Sequence, residues 1–175
     1  RLQLYYRPYS ELVKAENFFP DPMCGSDIQN GSFVWERIPE MSRRQLEDLK
    51  RDPSYFAEQI DACLKEGPKD LKGKDKAKGA PYEFWLRVGR LDVQKLMEAD
   101  ARGGDMMDDI NAPQEAPFVV VAYVNKRIIK ISTYWLESET FPYDVLVWES
   151  RDESWDGIGI PERLETPQRG LNAAL

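Results

Sequence analysis

The longest regular apolar pattern in the chain lies between residues 118 and 133, and it predicts a β-hairpin. Phe118–Val124 run without a polar interruption, which is typical of a strand covered on both faces. Asn125 and Lys126 then reverse the chain, because Asn tolerates the left-handed backbone that a two-residue turn needs. Lys is a poorer second residue than Gly, so a four-residue loop is the alternative. We expect this hairpin to be the centre of the fold.

Alternation along the hairpin assigns its side chains to the two faces of a sheet. With a two-residue turn, the first face holds Phe118, Val120, Ala122, Val124, Arg127, Ile129, Ile131 and Thr133. The second face holds Val119, Val121, Tyr123, Ile128, Lys130 and Ser132. The first face is the drier one. We therefore predict that it forms the main core surface and that a helix partly covers the second.

Apolar patterns elsewhere predict four further strands, at residues 2–7, 33–37, 82–88 and 141–149. Prolines at positions 8 and 39 are expected to end the first two of these strands. Between those two strands the sequence is loop-like. It nevertheless carries Phe18 and Phe19, which we expect to attach an extended segment to the core rather than to bind a ligand.

Residues at helical spacing predict short helices between the strands. Ser42 and Gln45 have the spacing of a capping box, so a helix is expected over residues 42–49. Apolar residues at steps of four predict a second helix from Phe56 to Glu66, followed by a brief helical turn over 91–97. Together these patterns predict one α+β domain over residues 1–175, with an antiparallel sheet core, short helices and a C-terminal helix stub.

Composition and charge narrow the classes of function. The 175 residues are 42% hydrophobic, with no apolar run long enough to span a membrane, so we expect no membrane partner. The chain has no histidine and two cysteines, which argues against an ordinary zinc site, a Ser/His nucleophile and most enzymes, and favours a reducing compartment. Its net charge of −7 would repel a nucleic-acid backbone, so any DNA contact has to be local.

A basic stretch interrupts this acidic chain at residues 65–80. It is rich in lysine and glycine and has little to bury, so we predict a mobile loop. A solvated linker is the plainer interpretation, and an arm that contacts phosphates is the alternative. The candidate nucleic-acid residues are Lys69, Lys72, Lys74, Lys76 and Lys78.

Carboxylates in the second half of the chain suggest a different function. Asp105, Asp108 and Asp109 cluster in a loop-like stretch, and Glu137 follows the hairpin. Together they are candidate ligands for Mg²⁺ in a phosphoryl-transfer enzyme, with the lysine loop holding the substrate. Such an enzyme would lack an obvious base, and no known ligand spacing is present. A third hypothesis is an interaction module that pairs an open sheet edge with a partner.

The C-terminal quarter carries a resemblance to a known family. In order along the chain stand a segment that begins Phe141-Pro142, an aromatic Trp155, a G-x-G-I-P turn at 157–161 and the sequence Gln168-Arg169-Gly170-Leu171-Asn172. Upstream, Asn17-Phe18-Phe19-Pro20-Asp21-Pro22 and Tyr82-Glu83-Phe84-Trp85 extend the likeness to residues 17–175. This arrangement resembles the portal, or head-to-tail connector, proteins of tailed bacteriophages.

The resemblance implies a structural subunit, not an enzyme and without a cofactor, in a ring of about twelve copies at one capsid vertex. Its partners would be further copies, the packaging motor (terminase), capsid and tail adaptor proteins, and double-stranded DNA that passes through without sequence specificity. The subunit would be assembled in the host bacterial cytoplasm and reside in the virion. An acidic wall suits such a channel, because a wall dense in Lys and Arg would hold the phosphates and stall transport.

Two expectations concern the ends of the chain. Pro167 departs from the family pattern, in which the helix runs straight through, so we predict a break there with Thr166 as a new N-cap. The chain begins at Arg1 and ends at Leu175 within a helical pattern, as an internal fragment of a longer portal protein would. By itself we expect it to be a monomer or a weak oligomer.

Overall fold

The computed structural model describes residues 10–70, 73–77, 79–102, 117–133 and 140–173. Their centre is a five-stranded antiparallel sheet in which each strand pairs with the next along the chain. The strands are β1 (Phe18–Pro20), β2 (Phe33–Met41), β3 (Tyr82–Arg90), β4 (Phe118–Val124) and β5 (Arg127–Thr133). The helices are α1 (Arg43–Asp48), α2 (Ala57–Glu66), α3 (Val93–Arg102) and α4 (Ile160–Ala173). The α+β class predicted from the sequence is confirmed.

The predicted hairpin is present as β4 and β5, and its turn has two residues. Asn125 and Lys126 both adopt positive φ, at 53° and 65°, as a type I′ turn requires. The predicted faces hold as far as Ile129, where the register shifts: Tyr123 pairs with Ile128, but Ala122 pairs with Lys130. Ile129 is thus an extra residue in its strand, a β-bulge.

The bulge makes part of the predicted face assignment wrong. Beyond the bulge, every side chain of β5 lies on the face opposite to the predicted one, because side chains alternate with a period of two and the bulge adds one residue. Lys130 therefore lies beside the ring of Tyr55 on the first face, 4.5 Å from its centroid. Ile131, predicted there, instead packs with Val121 on the second face.

Both faces of the sheet are covered, as the hairpin pattern predicts. On the second face Leu91 and Leu96, the latter in α3, pack against the hairpin. On the first face two clusters lie at opposite ends of the strands. Near the end of β4, Leu46 of α1 and Ile60 of α2 pack on Val124. Near the start of β4, the C-terminal segment packs on other residues of the same face.

The strands near the N-terminus differ from their predictions. The strand predicted at residues 2–7 lies outside the described residues. β2 continues past Pro39 to Met41, and the register shift between Ile38 and Met41 accommodates the proline, which has no N–H to offer the ladder. Phe18 attaches its segment to the core as expected, although the segment forms a short strand, β1, rather than a loop.

Two predictions for the C-terminal quarter are wrong. Residues 141–149 do not form a strand. The helix α4 runs through Pro167 without a break, so Thr166 is not a new N-cap. A proline inside a helix removes one backbone donor and can bend the helix, but the hydrogen bonds of the flanking turns still hold the chain.

The other helices agree with the sequence patterns. The Ser42 hydroxyl accepts from the N–H of Gln45, whose side chain accepts from the N–H of Ser42, so the capping box begins α1 as predicted. α2 ends before Gly67, which has a φ of 81°. Phe56, predicted on the apolar side of that helix, instead precedes it as the N-cap and is partly exposed.

Candidate assembly surface

The C-terminal segment, residues 140–158, is attached to the sheet by aromatic rings. Phe141 is buried against Phe118, with ring centroids 5.3 Å apart. Tyr143 and Trp155 both meet the ring of Phe18 edge to face, at 5.1 and 5.3 Å. Edge-to-face pairs add to the free energy of burial itself. These contacts fix the segment at the end of the sheet where β2 and β4 begin.

The backbone of this segment is held by a side chain instead of a neighbouring strand. The Gln29 amide donates to the carbonyl oxygens of Phe141 and Tyr143, at 3.2 and 3.3 Å, and accepts from the N–H of Phe141 at 2.8 Å. The Tyr143 hydroxyl donates to Glu36 at 2.7 Å. Gln29 thus takes the place of a strand partner for the backbone of Phe141 and Tyr143, where the predicted strand would begin.

The apolar residues of the failed strand prediction point into solvent. The Leu146 side chain is 98% exposed and that of Trp148 is 80% exposed, with Val145 and Val147 partly exposed beside them. An isolated exposed apolar residue is ordinary, but a contiguous group of this size is typical of an interaction site. We call residues 144–156 the tail surface.

A glycine turn connects the tail surface to the last helix. Gly157 has a φ of 64°, and a Cβ placed there would lie 2.8 Å from both the Glu149 carbonyl oxygen and the Val147 Cβ. The N–H of Ile158 donates to the same Glu149 carbonyl at 2.8 Å. The first glycine of the G-x-G-I-P sequence therefore allows a close turn that only glycine fits.

The helix α4 leaves this turn exposed along its described length. Its apolar residues follow steps of four, three and four, at Ile160, Leu164, Pro167 and Leu171, which is the seam spacing of a coiled coil. Ion pairs of Arg163 with Glu149 and of Arg151 with Glu162 hold only its first turns. The stripe thus has no cover from the described part of this chain.

Three of the five candidate lysines lie within the described residues, and two of these form ion pairs. Lys69 donates to Glu66 at 2.7 Å and Lys76 to Glu83 at 2.6 Å, whereas Lys74 is exposed. Lys72 and Lys78 lie outside the described residues. The structure therefore places Lys69 and Lys76 in intramolecular pairs. Lys74 is exposed and forms no ion pair within the described residues, so it is accessible to a phosphate.

The described part of the basic loop is also bonded to the hairpin turn. The Asn125 amide donates to the Gly67 carbonyl at 2.7 Å and accepts from the N–H of Lys69 at 3.1 Å. The N–H of Lys76 donates to the Pro68 carbonyl at 2.9 Å, which returns the loop on itself. Mobility of the loop stays a prediction, but the loop has polar anchors that its sequence does not reveal.

A cleft of about 540 Å³ lies between this loop and the first two helices. The apolar part of its wall includes Leu64, Pro68 and Tyr82. Its charged lining is mixed, with the cations Arg43, Lys65 and Lys76 beside the acids Glu40, Glu66 and Asp75. It lies at the end of the sheet opposite the tail surface, since Leu64 and Tyr82 belong to the cluster near the end of β4. We call this the loop cleft.

Glu66 connects the cleft wall to the hairpin. Hydrogen bonds from Lys69 and, at 3.1 Å, from Arg127 Nε lower the pKa of Glu66 below its ordinary value, although partial burial opposes the shift. A carboxyl whose pKa is lowered on folding stabilises the fold above its unfolded pKa of about 4.3, and that contribution is lost as the pH falls through the folded value.

This gives a testable prediction for Glu66→Gln. At pH 7 the variant should be less stable than the parent by about 1 kcal/mol, and the difference should shrink towards zero below about pH 4. Urea denaturation at both pH values measures it. Glu11→Gln, at an exposed position, is the control and should change nothing at either pH. A loss of stability that persists undiminished at low pH would show that Glu66 acts through packing instead of charge.

The candidate carboxylates for magnesium, Asp105, Asp108, Asp109 and Glu137, lie outside the described residues. In the described ranges no three acidic, cysteine or histidine side chains are grouped so that they could hold a metal ion. Burial raises the pKa of Cys63 to about 11, and burial also raises that of Cys24. Both thiols are therefore protonated at neutral pH and are poor nucleophiles.

The edge of the sheet bears on the hypothesis of an interaction module. The N–H of Phe56 donates to the Ile129 carbonyl at 2.7 Å, and Tyr55 forms an isolated bridge with Lys130. These contacts occupy the central part of the outer edge of β5. A partner strand could not pair along the whole of that edge without displacing the start of α2.

Comparisons with known proteins add no relative. No protein-family model matches the chain, and no curated protein matches it significantly. Among the described helices, none has the length and apolar character needed to cross a lipid bilayer.

Sequence reasoning missed two features of the structure, the tail surface and the cleft. Trp148 and its neighbours were assigned to a strand, and only their solvent exposure identifies them as a candidate contact. The loop cleft is formed by residues far apart in the sequence, from Glu40 to Tyr82, which no local pattern connects. A signal was available for the first feature: a tryptophan among acidic residues near a glycine turn is unusual for a core strand.

Proposed function

We propose that this chain is part of a subunit of the ring-shaped portal of tailed bacteriophages, a structural component of the DNA channel used in genome packaging and ejection. The observation that carries the proposal is the order of motifs from Phe18 to Asn172, above all the G-x-G-I-P turn followed by a helix with Gln168, Arg169 and Asn172. Each motif is weak alone, but their order is specific.

The geometry of the last helix supports a structural role in an assembly. An apolar stripe along a helix in water normally faces another element, yet the described chain supplies none for α4. In a ring, neighbouring subunits would supply that cover. The close turn at Gly157 sets the direction in which the helix leaves the sheet.

The charge of the chain suits contact with moving DNA. A net charge of −7 repels phosphates, so a channel wall of this kind would not hold the DNA that has to slide past it. The partners we propose are further copies of the same protein, the packaging motor, capsid and tail adaptor proteins, and double-stranded DNA, with the virion as the location. None of these roles requires catalysis or a cofactor.

Electron microscopy of the full-length protein tests this function. We expect closed rings of the parent protein, and loss of rings in Leu164→Asp, which places a charge in the apolar stripe of α4. Thr166→Asp is the matched control: it adds the same charge about 200° further round the exposed helix, and rings should persist. A full-length protein that never forms rings, or rings that survive Leu164→Asp, would contradict the proposal as argued from α4.

A further inference from the structure

The backbone of the tail surface is held in a bonded turn. The N–H of Ile158 donates to the Glu149 carbonyl at 2.8 Å, and beyond that bond Arg151 forms an antiparallel bridge with Ser154. The side chains of Glu149 and Arg151 are each paired with a residue of α4. Because these contacts already order the turn, binding of a partner would lose little free energy in ordering it further.

The charge that this turn offers to a partner is negative. Its exposed acids form no ion pair within the described residues: Asp144, Asp152, Glu153 and Asp156. The tail surface contains one cation, Arg151, and that side chain already pairs with Glu162. The tail surface therefore repels the phosphates of nucleic acids and acidic lipids, and it attracts cationic groups.

Exposed apolar side chains lie in the same segment as these acids. Leu146 is 98% exposed and Trp148 is 80% exposed. The face of an indole ring attracts the side chains of lysine and arginine, and a guanidinium group also stacks on it. An exposed tryptophan in an acidic segment thus suits a partner that carries cations beside an apolar residue.

We propose that the tail surface binds a basic segment of a different protein, in which lysine or arginine side chains flank an apolar residue. The apolar residue packs on Leu146 and Trp148. The cations of the segment meet the ring of Trp148 and the carboxylates around it. An aromatic anchor inside a charged rim is the usual form of an interface hot spot, and the rim makes the contact sensitive to salt.

A second copy of this chain does not match the tail surface in charge. The chain carries a net charge of −7, and the loop cleft mixes cations with acids. Like charges on facing surfaces oppose a contact. Binding of a basic segment is also independent of the proposed portal function, because it needs neither a ring nor the apolar stripe of α4.

Fluorescence anisotropy of labelled peptides mixed with the chain tests this binding. The peptides have equal length and the same leucine residues, and their other residues are either lysine and arginine, serine and glutamine, or aspartate and glutamate. We expect the basic peptide to bind at least about tenfold more tightly than the neutral one, and the acidic peptide not to bind. Raising the salt concentration should remove the preference for the basic peptide.

Two variants of the tail surface locate the contact. Trp148→Ala removes the anchor and should weaken binding of the basic peptide at least about tenfold. Asp144→Asn with Asp152→Asn removes two exposed charges with little change of shape, and it should weaken binding at least about threefold.

The controls make the same chemical changes at other exposed positions. Met23→Ala removes an apolar side chain, and Glu11→Gln with Glu58→Gln removes the same amount of charge. Both should bind the basic peptide as the parent does. Losses in the controls as large as those in the tail variants, or equal binding of the basic and neutral peptides, would overturn the inference.

Sedimentation velocity of the chain alone tests the competing occupant. Self-association of the parent that Trp148→Ala abolishes would also overturn the inference, because a second copy would then cover the tail surface. We expect the same sedimentation for the parent and this variant. The absence of rings from the full-length protein would contradict the proposed function and leave the peptide result unchanged.

Discussion

Gly89→Ala should lower the free energy of unfolding by about 3 to 4 kcal/mol, a large effect for one methyl group. Gly89 lies in the central strand β3 with a φ of 151°, where a side chain is strained. A Cβ at this position would lie 2.4 Å from the carbonyl oxygen of Ser32 and 2.8 Å from the Cα of Phe33. Both are backbone atoms of the paired strand and its preceding turn, so the clash cannot be relieved by a rotamer change.

Thermal unfolding followed by circular dichroism measures this effect, and we expect a midpoint lower by about 10 °C. Gly170→Ala makes the same chemical change in α4, where a Cβ meets nothing within 4 Å. That control should leave the midpoint unchanged or raise it, because alanine favours a helix by about 1 kcal/mol over glycine. Equal midpoints for the parent and Gly89→Ala would mean that β2 and β3 do not approach as closely as described.

Phe141→Ala should cost about 3 kcal/mol and should release the tail surface from the sheet. The ring is buried between the C-terminal segment and the start of β4, and the adjacent backbone depends on Gln29 for its hydrogen bonds. Loss of the ring leaves a cavity at the contact and weakens those bonds together. Hydrogen exchange at residue 141 and at Ile158 would report the release. We expect both N–H groups to exchange faster in the variant than in the parent, relative to the amides of β3.

Leu146→Ala provides the matched control, since Leu146 lies five residues further along the same segment but is 98% exposed. It should leave unfolding and exchange unchanged. The pair of variants also separates attachment of the tail surface from its use: Phe141→Ala should disturb both stability and binding of the basic peptide, whereas substitutions of exposed residues should disturb binding alone. Equal destabilisation by the two variants would contradict the described burial of Phe141.

Local patterns correctly predicted those elements whose structure depends on residues close together in the sequence. The capping box at Ser42 and Gln45 fixes the start of a helix within four residues, and Asn125 meets the backbone requirement of its own turn. The β4–β5 hairpin could be predicted for the same reason. The bulge at Ile129 could not, because the contact that uses its carbonyl comes from Phe56, far away in the sequence.

The predictions for the C-terminal quarter failed where a distant residue replaces a local partner. An apolar run implies a strand only if another strand accepts its hydrogen bonds, and for Phe141 and Tyr143, where the run begins, Gln29 takes that place. Pro167 has a different cause: helix propensity penalises the one residue, while the residues on both sides of it still form α4. The candidate surface therefore required the fold: its apolar residues are visible in the sequence, but their exposure to solvent is not.

The two edge strands of the sheet are protected against pairing with another chain, which affects the behaviour of the protein at high concentration. Unprotected edge strands add to one another without limit and lead to aggregation. Here β1 is three residues long and ends in Pro20, and the centre of β5 is closed by the bond from Phe56 to Ile129. Both features hinder the addition of further strands at these edges. At high concentration, copies of the chain should therefore have little tendency to join through the backbones of these edge strands.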